Sequence, residues 1–304
     1  MDGQQIQAMT HVEDLRRYIT EEIVKTFGVS SRWARWLFGS IFRPAAERFS
    51  QLAASFDQYV ASLGLNQAAR WVLPVFSRDV RVHGTEHVPA EGPLLLTSNH
   101  PGTCDSLVIA ANVLRPDLKI VATGVPFIRS LPSTAQYLIY CTLDPHERMN
   151  VVRSAIRHLR DGGALLIFPS GTLDPDPAIS SGADQALETW SPSLEVILRK
   201  VPHAQVLVTI VSGVLASSWA RNPLVRLRRT ERDQRRTAEF LQVIQQMLFP
   251  RSLLVHPALS FAPPVTVAEL SNDQTAPGVL VPLVERAKTF LASHIGMMYP
   301  ARPF

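Results

Sequence analysis

His100 and Asp105 stand five positions apart in the stretch LLLTSNHPGTCDSLVIA, Leu94 to Ala110. The pair lies in a Gly/Pro turn between an apolar run that reads as a buried strand and a run that reads as a helix. Turns of this kind are where α/β proteins collect their chemistry. With a helix beginning near Thr103, Asp105 falls on its first turn and reaches back to the imidazole. A carboxylate on one ring nitrogen fixes the tautomer and raises the basicity of the other nitrogen. Such a pair takes a proton from a hydroxyl within hydrogen-bond reach. The same spacing also describes a capping aspartate beside a hydrogen-bonded histidine, and on these residues alone both readings stand.

Cys104, inside the same turn, is a second candidate nucleophile; with Cys141 it makes up the chain's two cysteines. Two thiols in 304 residues make no disulfide framework, and the expectation is a pair of reduced, packed thiols in a cytoplasmic protein. His100 and Asp105 have the better use as a pair, so Cys104 is not expected to be the nucleophile.

The elements that must position this turn follow from periodicity. Residues 10 to 76 read as helical. Thr10 and Glu13 have capping-box spacing, and Val12, Leu15, Ile19, Ile23 and Phe27 follow helical spacing up to Gly28. Ser30 or Ser31 caps a second helix, RWARWLFGSIF. Pro44 opens a third, in which Phe49, Leu52, Phe56, Tyr59 and Leu63 form a stripe before Gly64. From Arg78 the texture alternates. RDVRVHG, GPLLLTSNH, LKIVATG, QYLIYCTLD, ALLIFPSGT and QVLVTIVSGVLA read as strands. DSLVIAANVLR, HERMNVVRSAIRHLRDGG and SPSLEVILRKVP read as helices, the second opened by Asp144, Pro145 and Glu147 as N-cap, N1 and N3. LDPDPAISSG is a loop by composition. The expected architecture is α/β: a mixed, mostly parallel sheet flanked by helices (77–304), preceded by an N-terminal helical bundle (1–76).

Three motifs raise the stakes of the turn. At SNHPGTCDS and LLIFPSGT the chain resembles the glycerolipid acyltransferase family, which includes the lysophosphatidic acid and glycerol-3-phosphate acyltransferases. Asn99, His100 and Asp105 match its N-H-x4-D motif after a strand. GVPFIRS supplies Gly124, Phe127, Ile128 and Arg129 of a G-x-x-F-I-R motif. Phe168, Pro169, Ser170, Gly171, Thr172 and Leu173 match F-P-E-G-T-R, with serine for glutamate and leucine for arginine. The form PSGTLDPDP is closer to the soluble plastid-type glycerol-3-phosphate acyltransferases, which also carry a helical domain ahead of the catalytic one. The resemblance covers residues 78 to 262.

The resemblance implies acyl transfer from a thioester, acyl-CoA or acyl carrier protein, to a hydroxyl of a glycerol phosphate, lysolipid or related acceptor, without metal, cofactor or covalent intermediate. His100 is then the general base and Asp105 its orienter. Backbone N–H groups around Gly171 are the oxyanion candidates, Ser170 and Thr172 are acceptor-binding or loop-holding, and Arg129 binds a phosphate. Leu173 stands where the family places an arginine near the acceptor's phosphate. A non-catalytic lipid-binding protein and an acyl thioesterase are the alternatives on the same fold. A serine hydrolase is disfavoured by the lack of G-x-S-x-G.

Charge and surface supply the partners. Hydrophobic residues make up 46% and charged residues 18%, a globular composition, and the net charge is only +4. That excess suits an acidic small molecule or an anionic membrane surface. Residues 221–236 carry seven arginines and two acids, without the interleaved aromatics or motifs of nucleic-acid binding. Trp33, Trp36 and Phe38 beside Arg32 and Arg35 suit an interfacial helix as well as a packed one. The polar opening MDGQQIQAMTHVEDLRRY resembles no leader, and no apolar run is long enough to span a bilayer. The expectation is a cytoplasmic protein, peripheral on the inner membrane face.

Overall fold

The computed structural model describes residues 3–26, 31–102, 104–141, 145–271 and 278–300. Its sheet holds β1 (Arg81–His83), β2 (Leu94–Ser98), β3 (Lys119–Thr123), β4 (Leu138–Cys141), β5 (Ala164–Ile167), β6 (Gln205–Ser212), β7 (Ala258–Phe261) and β8 (Val265–Thr266). The order is β1-β7-β6-β2-β5-β3-β4, with β8 also on β6. From β6 through β4 every neighbouring pair is parallel, whereas β7 and β8 both run antiparallel to β6. The sheet is therefore mixed and mostly parallel.

Every residue of β2 is buried, which demands a central strand covered on both faces. The side-chain period of two divides its leucines. Leu94 and Leu96 join an apolar cluster on one face, and Leu95 joins a second cluster on the other.

Helices of at least eight residues, numbered here, make the two outer layers. They are α1 (Gly3–Thr26), α2 (Arg32–Leu63), α3 (Leu65–Phe76), α4 (Asp105–Asn112), α5 (Pro145–Arg160), α6 (Ser193–Lys200), α7 (Glu231–Leu248) and α8 (Leu280–Met298). Residues of α1 to α4 and α7 share the cluster of Leu94 and Leu96, while α5, α6 and α8 line the cluster of Leu95.

The N-terminal helices differ from expectation in two places. Thr10 does not open a helix, because α1 begins at Gly3 and Thr10 lies inside it; Gly28 and Ser30 fall outside the described residues. Two helices expected on either side of Pro44 are one, α2, with Pro44 in its interior. An interior proline removes one N–H and costs about 3 kcal/mol. Burial outweighs it: Ala45, Ala46, Phe56 and Val60 are buried in one continuous stripe. Arg48 also donates from Nη1 to the carbonyls of Met247 and Leu248, both at 2.7 Å, closing the otherwise unpaired C-terminal turn of α7. Asp144, expected to cap α5, lies outside the described residues, though α5 does begin at Pro145.

Candidate active site

The His100 turn is fastened at both ends. Past the last residue of β2, the Asn99 side chain takes over the pairing with β6. Its Nδ2 donates to Val211 O at 2.8 Å, and Val211 N donates back to its Oδ1 at 2.9 Å. The buried Asn99 thus acts as one more rung of the ladder, and the chain leaves the sheet at His100. Asp105 opens α4 and is fully buried. Its Oδ2 receives His100 Nδ1 at 2.8 Å and Gly102 N at 3.2 Å.

A carboxylate only accepts, so Nδ1 carries a proton, and in the neutral ring Nε2 presents its lone pair. Nε2 has no hydrogen-bond partner among the described residues. The Asp105 carboxylate is hidden, whereas 26% of the His100 side chain is exposed. The imidazole also stacks on Phe168, the first residue after β5, with centroids 4.4 Å apart. Burial pulls the His100 pKa down, but Asp105 beside it, with Glu239 and Asp174 nearby, outweighs this and carries it to about 9.

The loop after β5 closes over the same end of the sheet. Ser170 Oγ donates to Thr172 O at 2.9 Å, and Gly171 N to Phe168 O at 3.1 Å. Gly171 has a φ of +64°, and nothing lies within 4 Å of where a Cβ would be. Glycine is there for the left-handed backbone, and that face of the loop is open. Because Gly171 N–H is already engaged, the amides without an acceptor among the described residues are those of its neighbours, Ser170 and Thr172.

Two aspartates missed by sequence reasoning anchor this loop. Asp174 N donates to His100 O at 2.7 Å, and Asp174 Oδ2 accepts from His100 N at 2.8 Å. Asp176, also buried, collects the amides of Gly213, Val214, Leu215 and Ala178 at 2.8 to 3.0 Å, tying the loop to the end of β6. Burial pushes both carboxyl groups up, against amide donors that favour the ionised form. The available signal was D-P-D-P itself. Each proline holds the aspartate before it extended, which makes for an ordered pair of carboxylates rather than a loose loop.

Glu239 of α7 is the third missed acid. It is buried, and its Oε1 would lie 3.4 Å from a Cβ on Gly102.

Arg129 stands apart from this cluster. It belongs to a short helix, Pro126–Arg129, after β3. With β5 between, β3 and β2 are separated by roughly 10 Å at about 4.8 Å per strand. Its Nε donates to Gly124 O at 2.9 Å and its guanidinium lies 4.8 Å from the centre of the Tyr140 ring. A Cβ on Gly124 would fall 2.5 Å from Arg129 Nη2, which explains the glycine five residues ahead.

The N-terminal layer holds this segment. Asp57 of α2 accepts from Thr134 N and Thr134 Oγ1, both at 2.7 Å, and Phe49 meets Phe127 with centroids 5.5 Å apart. Arg129 lines a groove of about 440 Å³ along the β4 edge, together with Lys119, Arg157 and His158.

Cys104 is buried, and burial, with Glu239 and Asp105 nearby, pushes its thiol far up. It is held as the thiol, which is a poor nucleophile.

A His–Asp pair and an amide-bearing loop thus meet at the carboxyl ends of parallel strands, the edge at which α/β sheets gather their ligand sites. Residues 79–212 match the Acyltransferase family model. No curated protein matches the chain. Among solved structures it is similar to the 1-acyl-sn-glycerophosphate (LPA) acyltransferase PlsC from Thermotoga maritima. The identity is 16% over 98% of this chain and 100% of that one, with a TM-score of 0.46.

Proposed function

We propose that the protein is a glycerolipid-type O-acyltransferase in which His100 is the general base. It moves a fatty acyl group from acyl-CoA or an acyl carrier protein to a hydroxyl of a glycerol phosphate, lysolipid or related acceptor. The observation that carries this is the 2.8 Å contact of His100 Nδ1 with the buried Asp105.

His100 Nε2 takes the acceptor's hydroxyl proton, and the oxygen attacks the thioester carbonyl. The carbonyl oxygen gathers negative charge, for which the amides of Ser170 and Thr172 are the candidate donors. Each such donor is worth roughly 3 kcal/mol of barrier. Collapse breaks the C–S bond, and the imidazolium returns its proton to the thiolate. Asp105 keeps the tautomer and does not itself give up a proton.

Phosphates of the donor or acceptor fit the groove of Arg129, Lys119 and Arg157. Leu173 supplies no cation at the third motif, so recognition of an anionic acceptor falls to that groove.

The lipid product implies contact with a bilayer, and among the described residues no helix is long and apolar enough to cross one. Exposed Trp33 and Trp36 on α2, with the basic stretch 221–236, suit peripheral binding to an anionic, cytoplasmic-side leaflet. Arg236 pairs with Glu22 at 3.5 Å, which brings the start of α7 against the end of α1.

Incubating the protein with labelled acyl-CoA and a panel of lysolipids and polyols tests the assignment. An acylated acceptor is expected. Thioester hydrolysis that no acceptor diverts would identify a thioesterase, and no turnover at all a lipid-binding protein.

A further inference from the structure

We propose that Asp174 is a positioning residue for the base: by a two-way bridge to the main chain of His100, it holds the imidazole against the loop that receives the oxyanion.

The bridge is reciprocal. His100 N donates to Asp174 Oδ2 at 2.8 Å, and Asp174 N donates to His100 O at 2.7 Å. Two hydrogen bonds to one residue's backbone fix both the place and the tilt of its peptide planes. Asp105 holds the side chain of His100 and the amide of Gly102 but no main-chain atom of His100, so without the bridge the His100 peptides could tilt while the ring keeps its carboxylate partner.

The Asp174 carboxyl is buried. Asp174 therefore joins the residue bearing the base to the loop after β5 that it belongs to and, through Pro175, to the carboxylate of Asp176. Asp176 in turn binds the amides of Gly213, Val214 and Leu215 after β6. The turns after β2, β5 and β6 become one unit. Alignment to within a fraction of an ångström is what catalysis needs, since a displacement of 1 Å costs about a hundredfold in rate.

This rests on the base role of His100. The charged or titratable groups around that ring are Asp105 and Cys104 at the start of α4, Glu239 of α7 and Asp174. Of these, Asp174 binds the main chain of His100.

The experiment compares Asp174→Ala, Asp174→Asn and His100→Ala in the full chain, reading kcat, thioester KM and the pH profile of each. Asp174→Ala is expected to lower kcat by about tenfold to a hundredfold with KM unchanged, because alignment is lost and binding is not. Asp174→Asn keeps an oxygen for His100 N–H and should recover part of that loss. In both, the rising limb of the pH profile should move to lower pH, since a negative charge that favours the imidazolium is gone.

Wild-type kcat with an unmoved limb in both variants overturns the inference. If Asp174→Ala does not fold, the same result in Asp174→Asn overturns it. Wild-type turnover in His100→Ala instead overturns the base assignment, a separate failure.

Discussion

Asp105 Oδ2 lies 2.8 Å from His100 Nδ1, with the carboxylate fully buried and the ring partly open to solvent. Opposite exposures across one hydrogen bond suit a base whose working nitrogen meets substrate and whose orienting partner never does. His100→Ala should abolish acyl transfer while leaving the fold intact, because the open ring contributes little core packing. Asp105→Asn keeps the shape but can donate to Nδ1, favouring the wrong tautomer. Its kcat should fall by roughly 10²- to 10⁴-fold. Steady-state kinetics beside circular dichroism check both, and near-normal turnover in His100→Ala would sink the mechanism.

A pKa carried to about 9 has two consequences of defined sign. A base must be neutral to accept a proton, so kcat/KM should rise with pH through a limb near 9 rather than near 6.5. Stability follows the other way. The folded protein holds this proton more tightly than the unfolded chain, so the contribution is fully present below about 6.5 and is lost as pH rises through about 9. Chemical denaturation of the wild type and His100→Gln from pH 6 to 10 measures it. The gap between the two proteins should narrow with rising pH, and a widening gap would contradict the assignment.

Cys104 is two positions from Gly102 and next to Asp105, yet its buried, strongly raised thiol is a poor nucleophile. Cys104→Ser should keep most of the activity, and intact-mass spectrometry after incubation with acyl-CoA should show no acyl adduct. A stable adduct at Cys104 would instead identify a covalent intermediate.

The alternating half of the chain was legible from periodicity because each element there satisfies its own local rule. Leu94 to Ser98 is an apolar run of strand length, and Asp105 opens α4 with an acid in its first turn. The N-terminal half was less legible for a physical reason. Pro44 and Gly64 are local break signals, and at Pro44 tertiary burial of Ala45 and Ala46 overrides the signal, whereas at Gly64 the chain does break between α2 and α3.

In the site, His100 and Asp105 were readable because they interact at short range along the chain. Asp174 and Glu239 were not. Asp174 reaches His100 across 74 positions, and no local spacing encodes that. The strands β7 and β8 escaped for a similar reason, since short runs such as Ala258–Phe261 become strands only by pairing with the ready-made edges of β1 and β6.

The last prediction concerns the membrane, where the structure sorts the arginines of the basic stretch. Arg235 pairs with Glu231 at 3.3 Å and Arg236 with Glu22 at 3.5 Å, so both serve the fold. Arg221, Arg226, Arg229 and Arg232 are exposed and form no ion pair among the described residues. Leu224 and Leu227 lie among them, 60% and 78% exposed, and Trp33 and Trp36 are 69% and 67% exposed. Cations near an anionic leaflet attract by about 1 kcal/mol each and are screened by salt, whereas apolar insertion is less so. The wild type should float with anionic vesicles at low salt and partly detach at high salt. Replacing Arg221, Arg226, Arg229 and Arg232 by glutamine should remove most of the salt-sensitive part. Replacing Trp33 and Trp36 by serine should remove the part that survives salt. Vesicle flotation separates these contributions. A wild-type protein that ignores anionic vesicles at low salt would end the peripheral-membrane reading and make a soluble acceptor the better hypothesis.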